Sequence, residues 1–399
     1  MAANHTFVSP PSSLAFILCP LPFLTSLYNI DVRFEVRMSQ AQLHGSVLVL
    51  ILFDVCEEIR LEELRHILGL QPAGREPSFK HPAPEYVRFE NPPVEEPTEK
   101  VTLATGEELE GRLKYYDYGV LSVEFELSFE GSWEKLVALS SRYVAGLEIE
   151  RHAGRLARQM LKRVTPALVK PYENWLNEDY YVFHVKEIEG QPTAFELVNA
   201  YGDQMAQIVR GENAPLSEGE RREILQSSMS YFPTDLVVVG WNAAFVYDTS
   251  AGAATTIQLL EYANSQLLEF RYYDEVLTRE LKGVYLSLEK GTGFLARWRL
   301  ARASAHLHTL LLDVTELTER ADNAIKFLSD MFSARLYRLA AAKVGVPDYK
   351  DLVQQKLSTA EDLYKFMVEQ FHQGRAFVLE LLVVIILIID LIFLFRGKG

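Results

Sequence analysis

The chain has 399 residues, a net charge of −14 and a hydrophobic fraction of 48%. That length holds two or three domains with ordinary cores, and the hydrophobic fraction excludes a protein made mainly of membrane spans. The acidic balance excludes nucleic acid as a main partner and broad adhesion to an anionic lipid surface, since both need clustered Lys and Arg.

Residues 1–37 include "SSLAFILCPLPFLTSLYNI", an apolar stretch of signal-peptide length. Nothing basic precedes Arg33 except His5, and Pro20 and Pro22 break the helix an export signal needs. The segment reads as an N-terminal extension or a misassigned start, with a true signal or a second membrane contact as the alternative. Residues 38–71 look like a cleaner beginning. A strand over Val47–Phe53 leads into a helix with Ile59, Leu61, Leu64, Ile67 and Leu68 at helical spacing, closed by Gly69. The two cysteines, Cys19 and Cys56, form no CxxC pair. Neither a zinc knuckle nor a redox dithiol is indicated, and the expected setting is reducing and cytoplasm-facing.

Residues 72–100 contain seven of the chain's 17 prolines and read as a linker or surface wrap, in which "YVRFE" could add an edge strand. Residues 101–252 read as an α+β domain. Val123, Phe125, Leu127 and Phe129 alternate as the buried side of an antiparallel strand. "SWEKLVALSSRYV" reads as a helix capped by Ser132, and residues 147–170 as another helix ended by Pro171. "DYYVFHVKEI" is a strand, "SEGERREILQSS" a short helix opened by Ser217, and "TDLVVVGWNAAFVYD" a strand or hairpin. The interleaving favours α+β over a doubly wound sheet.

Residues 253–375 read as helical throughout. Leu307, Leu310, Val314, Leu317, Ala321, Ala324, Leu328 and Met331 keep heptad spacing, which predicts a coiled-coil seam, packed between chains as a stalk or within one chain as a hairpin. Pro347 starts a last helix that runs on toward the C-terminus. Of the 20 residues at 376–395, 17 are Leu, Ile, Val or Phe. At ~1.5 Å per residue they extend ~30 Å, and their ~5–10 kcal/mol of apolar insertion energy is comparable to the cost of Glu380 and Asp390. The segment predicts a single transmembrane helix acting as a tail anchor. Glu380 and Asp390 are about 80° apart around it, so both can face a sister helix instead of lipid.

Recognisable chemistry is sparse. No P-loop, HExxH or GxSxG occurs, and "GTGFLA" at 291–296 follows a helical pattern instead of a strand, so it reads as a helix break. His306 and His308 diverge on a helix and share no metal. The densest polar stretch lies on the helix at 254–290. There Glu261, Asn264, Glu269, Arg271 and Asp274 are candidate catalytic or ligand-binding residues, with Arg271 as an anion clamp. The plainer reading is salt bridging and polar packing along a helix. No metal and no cofactor are expected.

"LVVVGWNAAFVYDTSAG", then "LLEYANSQLLEFRYYDEVLTREL", then long helices and an apolar terminus follow one another in a familiar order. The chain resembles the domain-of-unknown-function family typified by the "required for meiotic nuclear division" proteins and their mitochondrial-translation relatives. The likeness runs over roughly residues 45–395 and is specific mainly over 236–282 and 375–395. Leu379, Glu380 and Leu381 with Asp390 keep the family's spacing of two terminal acids, but the aromatic residue expected after the glutamate is missing. The resemblance implies a membrane-anchored tethering role and supplies no catalytic residues. Together these readings predict an oligomeric scaffold: an α+β domain on a helical stalk, with a span at 376–395 in a bilayer, the bacterial inner membrane, and the bulk of the chain on the cytoplasmic side. Self-association through stalk and span, an unidentified protein partner and no nucleic acid complete the expectation. The alternative is a membrane-attached enzyme or ligand sensor using the polar helix, with its residues converging near Trp241 and Asn242.

Overall fold

Strand β1, Leu43–Ile59, is the centre of the molecule. Every residue from Ser46 to Cys56 is buried, so its apolar run "VLVLILF" is covered on both faces, as a near-continuous hydrophobic strand requires. The computed structural model describes residues 41–70, 92–144, 146, 148–289, 309, 311–312, 314–315 and 331–396. Expectations for residues 1–37, "YVRFE", "GTGFLA", His306 and His308 lie outside them. All elements below belong to the unit Gln42–Gly399.

Around β1 the described residues build a nine-stranded mixed sheet. Its other strands are β2 (Val94–Pro97), β3 (Val101–Thr102), β4 (Glu108–Tyr115), β5 (Val120–Gly131), β6 (Leu168–Ile188), β7 (Ser228–Met229), β8 (Leu236–Val239) and β9 (Ala243–Tyr247). The order is β2-β4-β5-β1-β6-β9-β8-β7, with β3 on β4. Neighbours are antiparallel except β6 and β9, which run parallel. The β4–β5 turn needs Gly119, whose φ is +95° and where a Cβ would meet the Cys56 carbonyl oxygen at 1.8 Å.

Helices cover both faces. On one side lie α2 (Trp133–Val144), α3 (Glu148–Val164) and α4 (Ala194–Arg210). Trp133 stacks on Tyr201 of α4 at 4.4 Å and on Phe245 of β9 at 5.6 Å, riveting two helices to the sheet. Short helices α1 (Leu61–Leu68) and α5 (Glu218–Leu225) sit at the margins. The opposite face carries α6 (Ser250–Glu289), α7 (Met331–Val344) and the start of α8 (Val346–Arg396). Leu48, Leu50, Leu52, Val182 and Val246 of the sheet share one core there with Leu260, Leu268, Phe270 and Leu277 of α6 and Leu336 of α7.

Several local expectations hold. Gly69 closes α1 in the left-handed conformation, Ser217 caps α5, and the Lys135 N–H donates to Ser132 ahead of α2. Helix α4 passed unread, although Thr193 and Glu196 form a full capping box at its start.

Three expectations are corrected. The helix predicted to Pro171 stops at Val164, and Pro171 lies inside β6 opposite Cys56, where the pairing register shifts. A bulge tolerates proline because no ladder N–H is required there. The coiled-coil stalk is not supported. Its seam falls outside the described residues except at Val314 and Met331, which should be buried alike. Val314 is buried in the sheet-facing core, whereas Met331 is 73% exposed. The apolar faces of α7 and of α6 as far as Leu277 are spent against the sheet, while Leu281 and Val284 of α6 pack on Ala360 and Met367 of α8.

The single C-terminal transmembrane helix is likewise overturned. Among the described residues no helix is long and apolar enough to cross a membrane. Helix α8 does run unbroken to Arg396. The tail anchor and the inner-membrane location fall with the span. The fold is a mixed α/β one: a nine-stranded sheet between helical layers.

Candidate functional site

Helix α6 is the element on which polar chemistry gathers. It starts where the Gly252 N–H donates to Thr249 Oγ1 at 3.2 Å and the Thr249 N–H to Asp248 Oδ1 at 2.6 Å. From Leu259 to Phe270 every residue is buried, so the helix is enclosed by the sheet on one side and by α7 and α8 on the other. Glu261, Asn264, Ser265, Gln266 and Glu269 go into the interior with it. Each must find a partner or change its ionisation.

At the N-terminal end that partner is Lys114 of β4. Its Nζ lies 2.7 Å from Glu124 Oε2 of β5 and 2.7 Å from Glu261 Oε2 of α6. Burial, the largest single influence, pulls the Lys114 ammonium down, and the two carboxylates together more than reverse it, so the group stays charged. Beside it the Tyr116 phenol is pushed up by burial and by Glu261.

The triad forms the floor of a cavity of about 430 Å³ between sheet and helix. Ser46, Glu126, His184 and Lys186 line it from the strands, and Thr255 and Gln258 from α6. Lys186 pairs with Glu126 at 3.4 Å, and Arg112 with Glu95 at 3.4 Å at the rim. His184 Nε2 donates to the Asp248 carbonyl at 2.9 Å, and burial lowers its pKa, which keeps the ring neutral. Ser46 is 2% exposed, and its hydroxyl has no partner among the described residues.

Two turns further along α6, Glu269 faces Asp54 of β1. Burial lifts Glu269 to about 8, opposed by the Tyr273 hydroxyl, which donates to its Oε2 at 2.5 Å. Burial and the charge of Glu269 raise Asp54 well above the usual carboxylate range, and neither Asp54 oxygen has a partner among the described residues. Tyr172 and Tyr272 stack nearby at 4.4 Å, and burial pushes the Cys56 thiol up to about 12, leaving it an inert core residue. The pair is held protonated instead of compensated.

The sequence-predicted site residues therefore do not converge. Glu261 lines the cavity, while the Asn264 amide donates to the Leu260 carbonyl of its own helix at 2.8 Å. Arg271 is tied to Glu178 of β6 and is no free anion clamp. Asp274 accepts from Lys356 of α8 at 2.5 Å. Trp241 is 68% exposed and apart from the cavity lining. Glu380 is exposed on α8. Among the described residues no three His, Cys, Asp or Glu side chains are placed to hold a metal. Sequence reasoning passed over Lys114, Glu124, Ser46 and His184. Their signal was a charged or polar side chain on the second face of strands whose first face is apolar.

Residues 44–254, more than half of the chain, match the family described as "Uncharacterized protein MJ0711, N-terminal domain", and the chain belongs to that family. A relative from Methanocaldococcus jannaschii, "Uncharacterized protein MJ0711", is 20% identical over 189 residues, 47% of this chain and 58% of the relative's length. No solved structure matches. The matched segment contains the sheet from the second residue of β1 onward and every strand residue of the cavity, and it stops before Glu261.

Proposed function

We propose that the protein is a ligand-binding module, a sensor, whose ligand enters the cavity between the sheet and the start of α6. The observation that supports this reading is the buried Lys114–Glu124–Glu261 triad bordering a cavity of about 430 Å³. A structural ion pair is seldom left bordering open space, and this volume is in the range of small-molecule sites. Among the described residues no metal-ligating set accompanies it, and the reading adopted is binding.

The test is a thermal-shift screen of small polar compounds on the full chain and on Gln258→Trp, which fills the cavity from α6 without changing net charge. A true ligand raises the Tm of the parent by several degrees, in proportion to ln(1 + [L]/Kd), and leaves the variant unmoved. If no compound separates the two proteins, the reading fails.

A second reading, an oligomeric tether, draws on α8. Leu382–Ile389, Leu391 and Ile392 are each 46–60% exposed around its whole circumference. Several copies of this chain packed about an axis cover such a surface, which one flat partner does not. The resemblance to the "required for meiotic nuclear division" proteins supports the tethering part. The masses of the chain with and without residues 376–399 test it: a defined oligomer that shrinks on truncation is expected, and a monomer in both cases overturns it.

A further inference from the structure

The cavity's charge inventory points to what it takes. Four carboxylates border it, Glu95, Glu124, Glu126 and Glu261, against three cations, Arg112, Lys114 and Lys186. Every cation is engaged: Lys114 by two carboxylates, Lys186 by Glu126 and Arg112 by Glu95. With His184 neutral, the lining carries one formal negative charge more than its cations compensate.

The hydrogen-bonding groups lean the same way. His184 spends its Nε2 proton on the Asp248 carbonyl, so its other ring nitrogen is an acceptor. The hydroxyl of Ser46, buried and without a partner among the described residues, is a further acceptor on the lining. The N-terminus of α6, the usual anion-binding device, is taken up by the chain itself. Thr249 caps it, and a Cβ at Gly252 would meet the Asp248 carboxylate at 2.2 Å. Among the described residues an anion would find no free cation on the lining and no open end of α6. A metal finds no set of three ligands among the described residues.

We infer that the cavity takes a small organic cation bearing a primary ammonium group, held by Glu126, the Ser46 hydroxyl and the excess carboxylate charge of the floor. The inference rests on the ligand-binding reading above. An ammonium brings three donors to a lining of acceptors, and its bonds to carboxylate are of the strong, charge-assisted kind.

Calorimetric titration of the full chain with 1,4-diaminobutane, succinate and 1,4-butanediol, compounds of similar length and different charge, tests it. The diamine is expected to bind at one saturable site. Its affinity should fall about tenfold or more in Gln258→Trp, which blocks the space, and in Glu126→Gln, which removes the surplus charge from a partly exposed position. Circular dichroism confirms that both variants are folded, and either one alone suffices. Diamine binding that both variants leave unchanged is adsorption to an acidic surface and overturns the inference. Succinate or butanediol binding that Gln258→Trp abolishes, with no diamine binding, overturns the charge assignment while the cavity reading stands. No binding by any of the three overturns the inference, and the library screen then decides separately whether the cavity binds anything.

Discussion

Glu261 and Glu269 lie eight residues apart on one enclosed helix, over one face of one sheet, and the protein neutralises them by different means. Glu261 is met by the Lys114 ammonium of β4, which bridges it to Glu124 of β5, and that end borders a cavity. Glu269 meets another acid, Asp54, and burial drives both toward the protonated form. A buried charge kept ionised costs several kcal/mol unless its partners fit, whereas a buried acid that takes up a proton escapes that cost and becomes sensitive to pH. The compensated end is suited to holding a charged ligand, and the protonated end to locking the helix on the sheet.

The comparison breaks most sharply at Lys114. Lys114→Met leaves Glu124 and Glu261 buried without a counter-charge, and urea denaturation at neutral pH is expected to show a loss of about 3–5 kcal/mol with the m-value unchanged. Adding Glu124→Gln and Glu261→Gln should return most of it, since the deficit is uncompensated charge and not lost packing. A triple variant no more stable than the single one contradicts the account of the triad.

The opposite end behaves in the reverse sense. The folded pKa of Glu269, about 8, lies above its ordinary 4.5, so the native state binds a proton that the unfolded chain releases. Stability is therefore full below about pH 4.5 and is lost as pH rises toward and through 8. Glu269→Gln keeps an acceptor for Tyr273 and removes this dependence. At pH 9 it should be more stable than the parent by about 4–5 kcal/mol, with the gap falling below about 1 kcal/mol near pH 5. Parallel pH profiles for the two proteins would refute the assignment.

Smaller effects separate floor from rim. Ser46→Ala removes a buried hydroxyl that has no partner among the described residues, so stability should rise by up to about 1 kcal/mol. Arg112→Ala breaks a pair whose side chains are 50% and 49% exposed. It should cost less than about 1 kcal/mol and nothing at high salt, checked by melting in low and high sodium chloride.

Much of the fold was legible because local rules and tertiary demand agree. Alternation in "VLSVEFELSF", the cap at Ser217, the closing Gly69 and the helical pattern from Ala253 to Glu289 each specify a local conformation. The errors arose where one face of an element was assigned and the other assumed wet. Val123 and Phe125 were read as the buried side of β5, which placed Glu124 and Glu126 in solvent, yet the helices of the second layer cover that side too. The same assumption made a stalk of α6, whose mixed composition does not look buried. Its glutamates are tolerated inside because a lysine from a strand some 150 residues earlier reaches one of them.

The sequence by itself determined the helices and strands, their caps and turns, and the acidic character of the chain, because those depend on residues within a few positions of one another. Only the tertiary structure decided which of the polar residues along α6 border a cavity, which hold a proton and which merely cap or bridge. The reason is that ionisation and access are set by what lies across the interface. For Glu261 that is Lys114 of β4, and for Glu269 it is Asp54 of β1, two partners that no local pattern in the chain assigns to them.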